Sequence, residues 1–282
     1  MQGIDVVLIG WILKTTLQMS APLMLAALGG MFSERSGVVN IALEGIMLMG
    51  AFTAVLATDI TGNPWIGVLA SMIGGGILGL LHAIICVKFK GDHIVSGTGI
   101  LLFAAGFTTM MVWVVWGIPG VSAEITNPLP PIELPWLAGI PIIGTAFEAL
   151  SPIVYMAFVL VIVCWYVLYK TSFGLRVRAS GEDPSTLDTA GVNVETIRIL
   201  AVTISGLLGG LGGAYLSIAY GTRFGMNMTA GKGFIALAAL IFGNWTPVGV
   251  LLASVFFGFL IALRLAIDVH IPELVQFNSL IK

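Results

Sequence analysis

The stretch Pro64-Trp65-Ile66-Gly67-Val68-Leu69-Ala70-Ser71-Met72-Ile73-Gly74-Gly75-Gly76-Ile77-Leu78-Gly79-Leu80-Leu81-His82-Ala83-Ile84-Ile85-Cys86-Val87-Lys88 holds no Asp, Glu, Lys or Arg until its last residue. A helix rises about 1.5 Å per residue, so about 20 apolar residues cross the roughly 30 Å hydrocarbon core of a bilayer. This run is long enough, and in lipid its backbone polar groups can only be satisfied within a helix or a closed barrel. Windows 8–32, 40–58, 94–117, 151–170, 197–220 and 248–266 have the same character. A further apolar stretch, 233–242, is too short to cross and reads as re-entrant or as half of a broken helix.

Composition agrees. The chain is 58% hydrophobic and 9% charged, against about 25% charged residues in a soluble domain. So few charges cannot coat a water-facing surface, whereas lipid-facing helices need no such coat. The expected fold class is all-α: a polytopic transmembrane helix bundle, one domain over residues 1–282, with a broken or re-entrant helix near the C-terminal third. A net charge of −2 points to no nucleic-acid partner. Cys86 and Cys164 lie in apolar runs and read as small core residues. His82, His93 and His270 lack the spacing of metal ligands. The N-terminus has no Lys/Arg-rich leader region and is interrupted by Asp5 and Lys14, so it reads as a retained first segment.

The loops give an orientation, because Lys and Arg gather on the cytoplasmic side. Lys88 and Lys90 lie in the 88–93 turn; Arg176 and Arg178 lie in the loop of about residues 171–197, with Lys170 and Arg198 at its margins. The 59–63 turn has no basic residue, and the loop of about 118–150 has none but carries Glu124, Glu133 and Glu148. The first pair is expected inside and the second outside, with the parity of the intervening helices in agreement. The N-terminus then lies outside and the 33–39 turn inside; Lys14, Arg223 and Lys232 run against the rule. Six prolines from Pro119 to Pro141 make the outer loop an irregular cap, with a short interfacial helix expected around 135–137. Trp113, Trp116 and Trp136 fit an aromatic belt. Glycines four apart, Gly75 with Gly79, Gly206 with Gly210 and Gly209 with Gly213, suit close helix packing.

Four segments carry more information. The run Phe32-Ser33-Glu34-Arg35-Ser36-Gly37-Val38-Val39-Asn40-Ile41-Ala42-Leu43-Glu44-Gly45 places Asn40 and Glu44 one helical turn apart, on one face of an apolar helix. An acid within the bilayer costs about 2.5–3.5 kcal/mol on insertion scales. Glu44 therefore either lines a pathway, or pairs with Arg35 or caps a broken helix. In Gly181-Glu182-Asp183-Pro184-Ser185-Thr186-Leu187-Asp188-Thr189-Ala190-Gly191-Val192, Asp183 suits an N-cap, Pro184 the first helical position and Gly191 a left-handed end. A two-turn helix is marginal in water, so this one reads either as a docking helix or as an amphipathic connector. Gly225-Met226-Asn227-Met228-Thr229-Ala230-Gly231-Lys232-Gly233 superficially matches a phosphate loop, but five residues instead of four separate Gly225 from Gly231, and Gly233 stands where Ser or Thr would hold magnesium. The chain is therefore not expected to hydrolyse ATP. Phe242-Gly243-Asn244-Trp245-Thr246-Pro247-Val248-Gly249 interrupts two apolar stretches and reads as a helix break lining a substrate site, or as a hairpin turn.

The run Glu34 to Gly45 resembles the opening signature of nucleoside-type ABC importer permeases, within the group that includes ribose and branched-chain amino acid permeases. The 181–194 stretch with the Gly-rich 205–214 helix, and the 231–249 region with Gly243-Asn244-Trp245, resemble the same group in order. The resemblance implies that 182–190 is a coupling helix, contacting an ATPase through Glu182, Asp183, Pro184, Leu187, Asp188, Ala190 and Gly191. It implies a second, homologous permease, an ATPase with two nucleotide-binding halves that carries ATP and Mg, and an extracytoplasmic substrate-binding lipoprotein. This chain itself would bind no cofactor. The setting would be the bacterial cytoplasmic membrane, and the substrate a nucleoside, purine nucleosides first; ribose-type sugars or branched-chain amino acids are the alternatives. The pathway would run by Asn40, Glu44, Asn244 and Trp245, with Phe103 and Phe107, and Trp113 beside them, as base-stacking candidates. Permeases of this kind carry another apolar segment after the last one here, where the sequence instead runs Ile271-Pro272-Glu273-Leu274 to Lys282.

Two rival classes are weaker. An ATP-independent channel or secondary transporter has little intramembrane charge to work with. Asn63-Pro64 and Asn127-Pro128 resemble water-channel signatures, but Trp65 and Leu129 replace the expected alanine. A membrane-embedded enzyme would need nucleophile or metal motifs that the sequence lacks.

Overall fold

The computed structural model describes residues 2–133, 140 and 142–270. Eleven α-helices are found among them: α1 (Gln2–Arg35), α2 (Leu43–Thr61), α3 (Pro64–Ala83), α4 (His93–Trp116), α5 (Ile143–Phe147), α6 (Pro152–Lys170), α7 (Ser172–Glu182), α8 (Pro184–Thr189), α9 (Val194–Ala214), α10 (Lys232–Phe242) and α11 (Pro247–His270). α3 and α9 each run on into a π-helical turn, Ile84–Lys88 and Tyr215–Tyr220. No sheet occurs among the described residues; isolated bridges Val121↔Gly225 and Ile132↔Leu150 pin the outer loop. The interfacial helix expected at 135–137 and the segment 271–282 lie outside the described residues.

Local sequence sets the helix ends. The side chains of Asn63, Asp92, Ser151 and Asn193 accept hydrogen bonds from the first turns of α3, α4, α6 and α9. Pro64 and Pro152 occupy the first helical positions, where no N–H is missed. Gly62 (φ +68°) and Gly117 (φ +69°) close α2 and α4 in the left-handed region. The long helices α2, α3, α4, α6, α9 and α11 are each long and apolar enough to cross a membrane. This is a multi-pass bundle.

α9 is the central post, packed on α1, α2 and α3. Its closest approach to α3 is made by backbone. A Cβ on Gly75 would lie 2.4 Å from the Gly206 carbonyl, and one on Gly210 would lie 2.2 Å from the Ser71 carbonyl. The glycine pairs therefore do what their spacing suggests. Gly213 repeats the device against α2, where a Cβ would lie 2.0 Å from the Met47 carbonyl.

Two ends of the bundle are distinguishable. At one, Trp116 Nε1 donates to Asp59 (2.9 Å), Asn127 Nδ2 donates to the Gly62 carbonyl (3.3 Å), and Ser122 and Phe224 exchange bonds across the outer loop. At the other lie Arg35, the Lys88–His93 turn, α7 and α8. After α9 the chain folds over the outer end, turns inward through residues 221–231 and only then forms α10. The 11 residues of α10 are too few to cross; this is the broken helix expected from the 233–242 stretch.

Two expectations are corrected. The loop of about residues 171–197 is not a loop around one short helix, because α7 takes up residues 172–182, capped by Thr171 and buried on Gly174, Val177 and Ser180. Its basic residues masked a short amphipathic face. Asn40 and Glu44 do not share a helix face, because α2 begins only at Leu43. Gly37 (φ +92°) turns the chain, and the Ser33 hydroxyl donates to the Val38 carbonyl (2.7 Å), holding residues 36–42 out of the helix.

Candidate transport pathway and coupling surface

Glu44 is the only acid in α2 before Asp59, and it is 6% exposed. Its carboxylate accepts from Gly231 N (2.8 Å) and Gly233 N (2.6 Å), the backbone donors that open α10. A helix N-terminus leaves such N–H groups unsatisfied and carries partial positive charge, so an acid there is favoured. The fit is close: a Cβ on Gly233 would lie 2.5 Å from Glu44 Cα. Glu44 thus caps the broken helix, one of the roles open to it from sequence. The donors of the apparent phosphate loop are occupied by the protein's own carboxylate.

Asn40 is fully buried, and its Nδ2 donates to Ser205 Oγ (2.8 Å) on α9. Its Oδ1 has no partner. Whichever way the amide is turned, one of its two polar atoms is left over, and an unpaired buried polar group costs about 1–3 kcal/mol. The neighbouring peptide is held by two histidines: Val39 N donates to His93 Nδ1 (3.3 Å), and Val39 O lies 3.1 Å from His82 Nε2.

Phe107 is drawn into an aromatic cluster, edge-on to Phe52 at 6.3 Å, while Phe52 also meets Trp116 and Phe224. Phe103 stacks on Phe107 at 5.4 Å and 22° and is 51% exposed. Trp113 is exposed on the same helix. α4 is the least buried of the long helices, and Gly99 and Gly106 face open space on it. Phe103 and Trp113 therefore lie at the periphery of this chain, while Phe107 packs against its core.

Asn244 and Trp245 form the turn between α10 and α11, at the Arg35 end of the bundle. Both have left-handed backbone, φ +50° and +51°, on the order of 1–3 kcal/mol of strain each for residues other than glycine. Two side chains from the end of α1 hold the turn: Trp245 Nε1 donates to Glu34 Oε2 (2.5 Å), and Arg35 Nε donates to the Trp245 carbonyl (3.0 Å). No local sequence signal joins Glu34 to Trp245, which are 211 residues apart.

At the same end α8 stands exposed. Asp183 accepts from Ser185 N and Thr186 N and from both hydroxyls, and Gly191 (φ +78°) follows the helix, as expected from sequence. The Ser185 and Thr186 hydroxyls hold the Asp183 carboxyl down to about 2. Because the folded value is the lower one, the cap is present above the ordinary carboxylate range and is lost only as pH falls through about 2. Leu187 is the one buried residue of α8; Glu182, Pro184, Asp188, Ala190 and Gly191 are exposed. Behind α8, Arg198 Nε donates to Ser36 O (3.0 Å) and its Nη2 to Ser180 O (2.7 Å). From sequence Arg198 reads only as a charge at the margin of the loop; its place in the first turns of α9, five residues past the N-cap Asn193, was the available sign. Among the described residues no group of His, Cys, Asp and Glu is arranged to hold a metal.

Residues 12–280 match the family described as branched-chain amino acid transport system / permease component. The guanosine ABC transporter permease protein NupQ of Bacillus subtilis is 44% identical over 257 residues, covering 88% of this chain and 80% of that protein. The nucleoside ABC transporter permease protein NupC of Lactococcus lactis is 40% identical, covering 92% and 83%. The putative glucose ABC transporter permease protein TsgC13 of Haloferax volcanii is 36% identical, covering 96% and 84%. No solved structure matches the chain. A broken half-helix, a capped and exposed short helix and a match along nearly the whole sequence converge: this protein belongs to the branched-chain amino acid transport system permease component family.

Proposed function

We propose that this chain is a membrane-spanning subunit of an ATP-binding cassette importer that carries nucleosides, purine nucleosides first, across the bacterial cytoplasmic membrane. The observation that carries the substrate class is the likeness to a guanosine permease and a nucleoside permease over most of all three chains. The capped, exposed α8 supports a docking role toward an ATPase, which would hold ATP and Mg in two nucleotide-binding halves. The chain hydrolyses no ATP itself. A second, homologous permease completes the pathway, and a lipid-anchored binding protein delivers substrate outside. In this reading Asn40 offers its unpaired amide atom to the substrate when the bundle opens. Glu44 keeps the α10 N-terminus in place beside it, Asn244 sits at the inner mouth, and Phe103 and Phe107 present an aromatic face toward the second permease. A simple-sugar substrate is the second reading, supported by the likeness to a putative glucose permease.

The test is uptake into inverted or right-side-out vesicles holding this chain with its second permease, ATPase and binding protein. ATP-dependent guanosine uptake in the full set, absent with this chain alone and lost when residues 183–188 become a Gly/Ser linker, is expected. ATP-independent uptake by the chain alone overturns the importer reading. Uptake of glucose or ribose with guanosine excluded moves the sugar reading to first place.

A further inference from the structure

Residues 34–44 hold three separate parts of the protein at once. Toward the cytoplasm, a Cβ on Gly181 would lie 2.3 Å from the Arg35 carbonyl, so the end of α7 rests on this segment by bare backbone. Arg198 bridges the same junction, one guanidinium joining the Ser36 and Ser180 carbonyls, a geometry its planar fork suits and a lysine does not. Only Glu182 and Asp183 separate Gly181 from the first residue of α8. Toward the α10–α11 turn, Glu34 and Arg35 grip Trp245. Toward the bilayer interior, Glu44 grips Gly231 and Gly233. The half-helix α10 is thus held at both ends by one short stretch of chain, and that stretch is joined to α8 with no compliant side chain between.

We infer that residues 34–44, α10 and the end of α7 move as one body, and that Arg198 and Trp245 are positioning residues through which a displacement of α8 reaches the broken helix. The inference rests on the importer reading above. A load on α8 shifts Gly181, Gly181 shifts residues 35–37, and both ends of α10 follow. Asn40, four residues beyond Ser36, is carried along with that segment. The strained pair Asn244 and Trp245 fixes the angle at which α10 is held.

The experiment compares ATP hydrolysed per nucleoside imported in the reconstituted full complex. Arg198→Met is expected to raise that ratio about tenfold or more, within the usual range of coupling between sites, with Arg198→Lys intermediate. Trp245→Phe keeps an aromatic side chain but loses the indole N–H and its bond to Glu34, and is expected to raise the ratio in the same direction. An unchanged ratio overturns the inference even if the absolute rate falls, since a merely structural defect lowers hydrolysis and import together. Should Arg198→Met fail to assemble, Trp245→Phe decides by the same criterion. Failure of the importer reading shows separately, in the unmodified complex; if that complex imports a sugar instead, the ratio is taken for the sugar.

Discussion

A single carboxylate inside a helix bundle is costly unless something satisfies it, and Glu44 is satisfied twice over, by Gly231 N and Gly233 N. Replacing it with alanine orphans both donors, each worth about 1–3 kcal/mol when buried. Glu44→Ala is expected to lower the thermal stability of the detergent-solubilised protein substantially. Glu44→Gln should lose about half as much, because the amide nitrogen faces an N–H where an oxygen stood. Melting temperatures equal to that of the unmodified protein would show that α10 does not depend on this cap. The residue also shows what the sequence could and could not disclose. An acid in an apolar run announces that a partner exists, but the partner lies 187 residues away, and no local pattern names it. The same holds for Trp245, whose identity as the anchor of a strained turn became visible only beside Glu34.

At the scale of elements, run length and capping chemistry carried far. The seven long windows correspond to α1, α2, α3, α4, α6, α9 and α11, the short one to α10, and Asp183 with Gly191 brackets α8 as read. α7 escaped because eleven residues with alternating charge and apolar side chains resemble a basic loop. The π-helical turns at Ile84–Lys88 and Tyr215–Tyr220 escaped because one inserted residue in a hydrogen-bond ladder alters no composition. The glycine faces offer a sharp contrast. Gly75→Val puts a branched side chain where Gly206 backbone already lies, and is expected to abolish the folded protein or cost about 1–3 kcal/mol or more. Gly99→Ala on the outer face of α4, with nothing within 4 Å, is expected to leave yield and melting unchanged. Equal behaviour of the two variants in a detergent-melting assay would remove the backbone contact as the reason for the α3–α9 pairing.

For the whole molecule, orientation follows from the basic residues gathered at the Arg35 end and the acidic loop at the other. A membrane-impermeant thiol reagent is expected to label Asn63→Cys from outside intact cells and Glu195→Cys only after the membrane is opened. Labelling in the opposite sense would invert the topology and take α8 away from the cytoplasm. Background should be low, since Cys86 and Cys164 are buried. The long reach of the Glu44 cap has a further consequence, for synthesis. At about 5–20 residues per second, the ribosome delivers Gly231 roughly 10–40 s after Glu44. Throughout that interval α2 is a membrane segment whose acid has no match. It must wait beside water or another protein. The arrival of α10 ends the wait, so the last third of the chain licenses the settled insertion of the first.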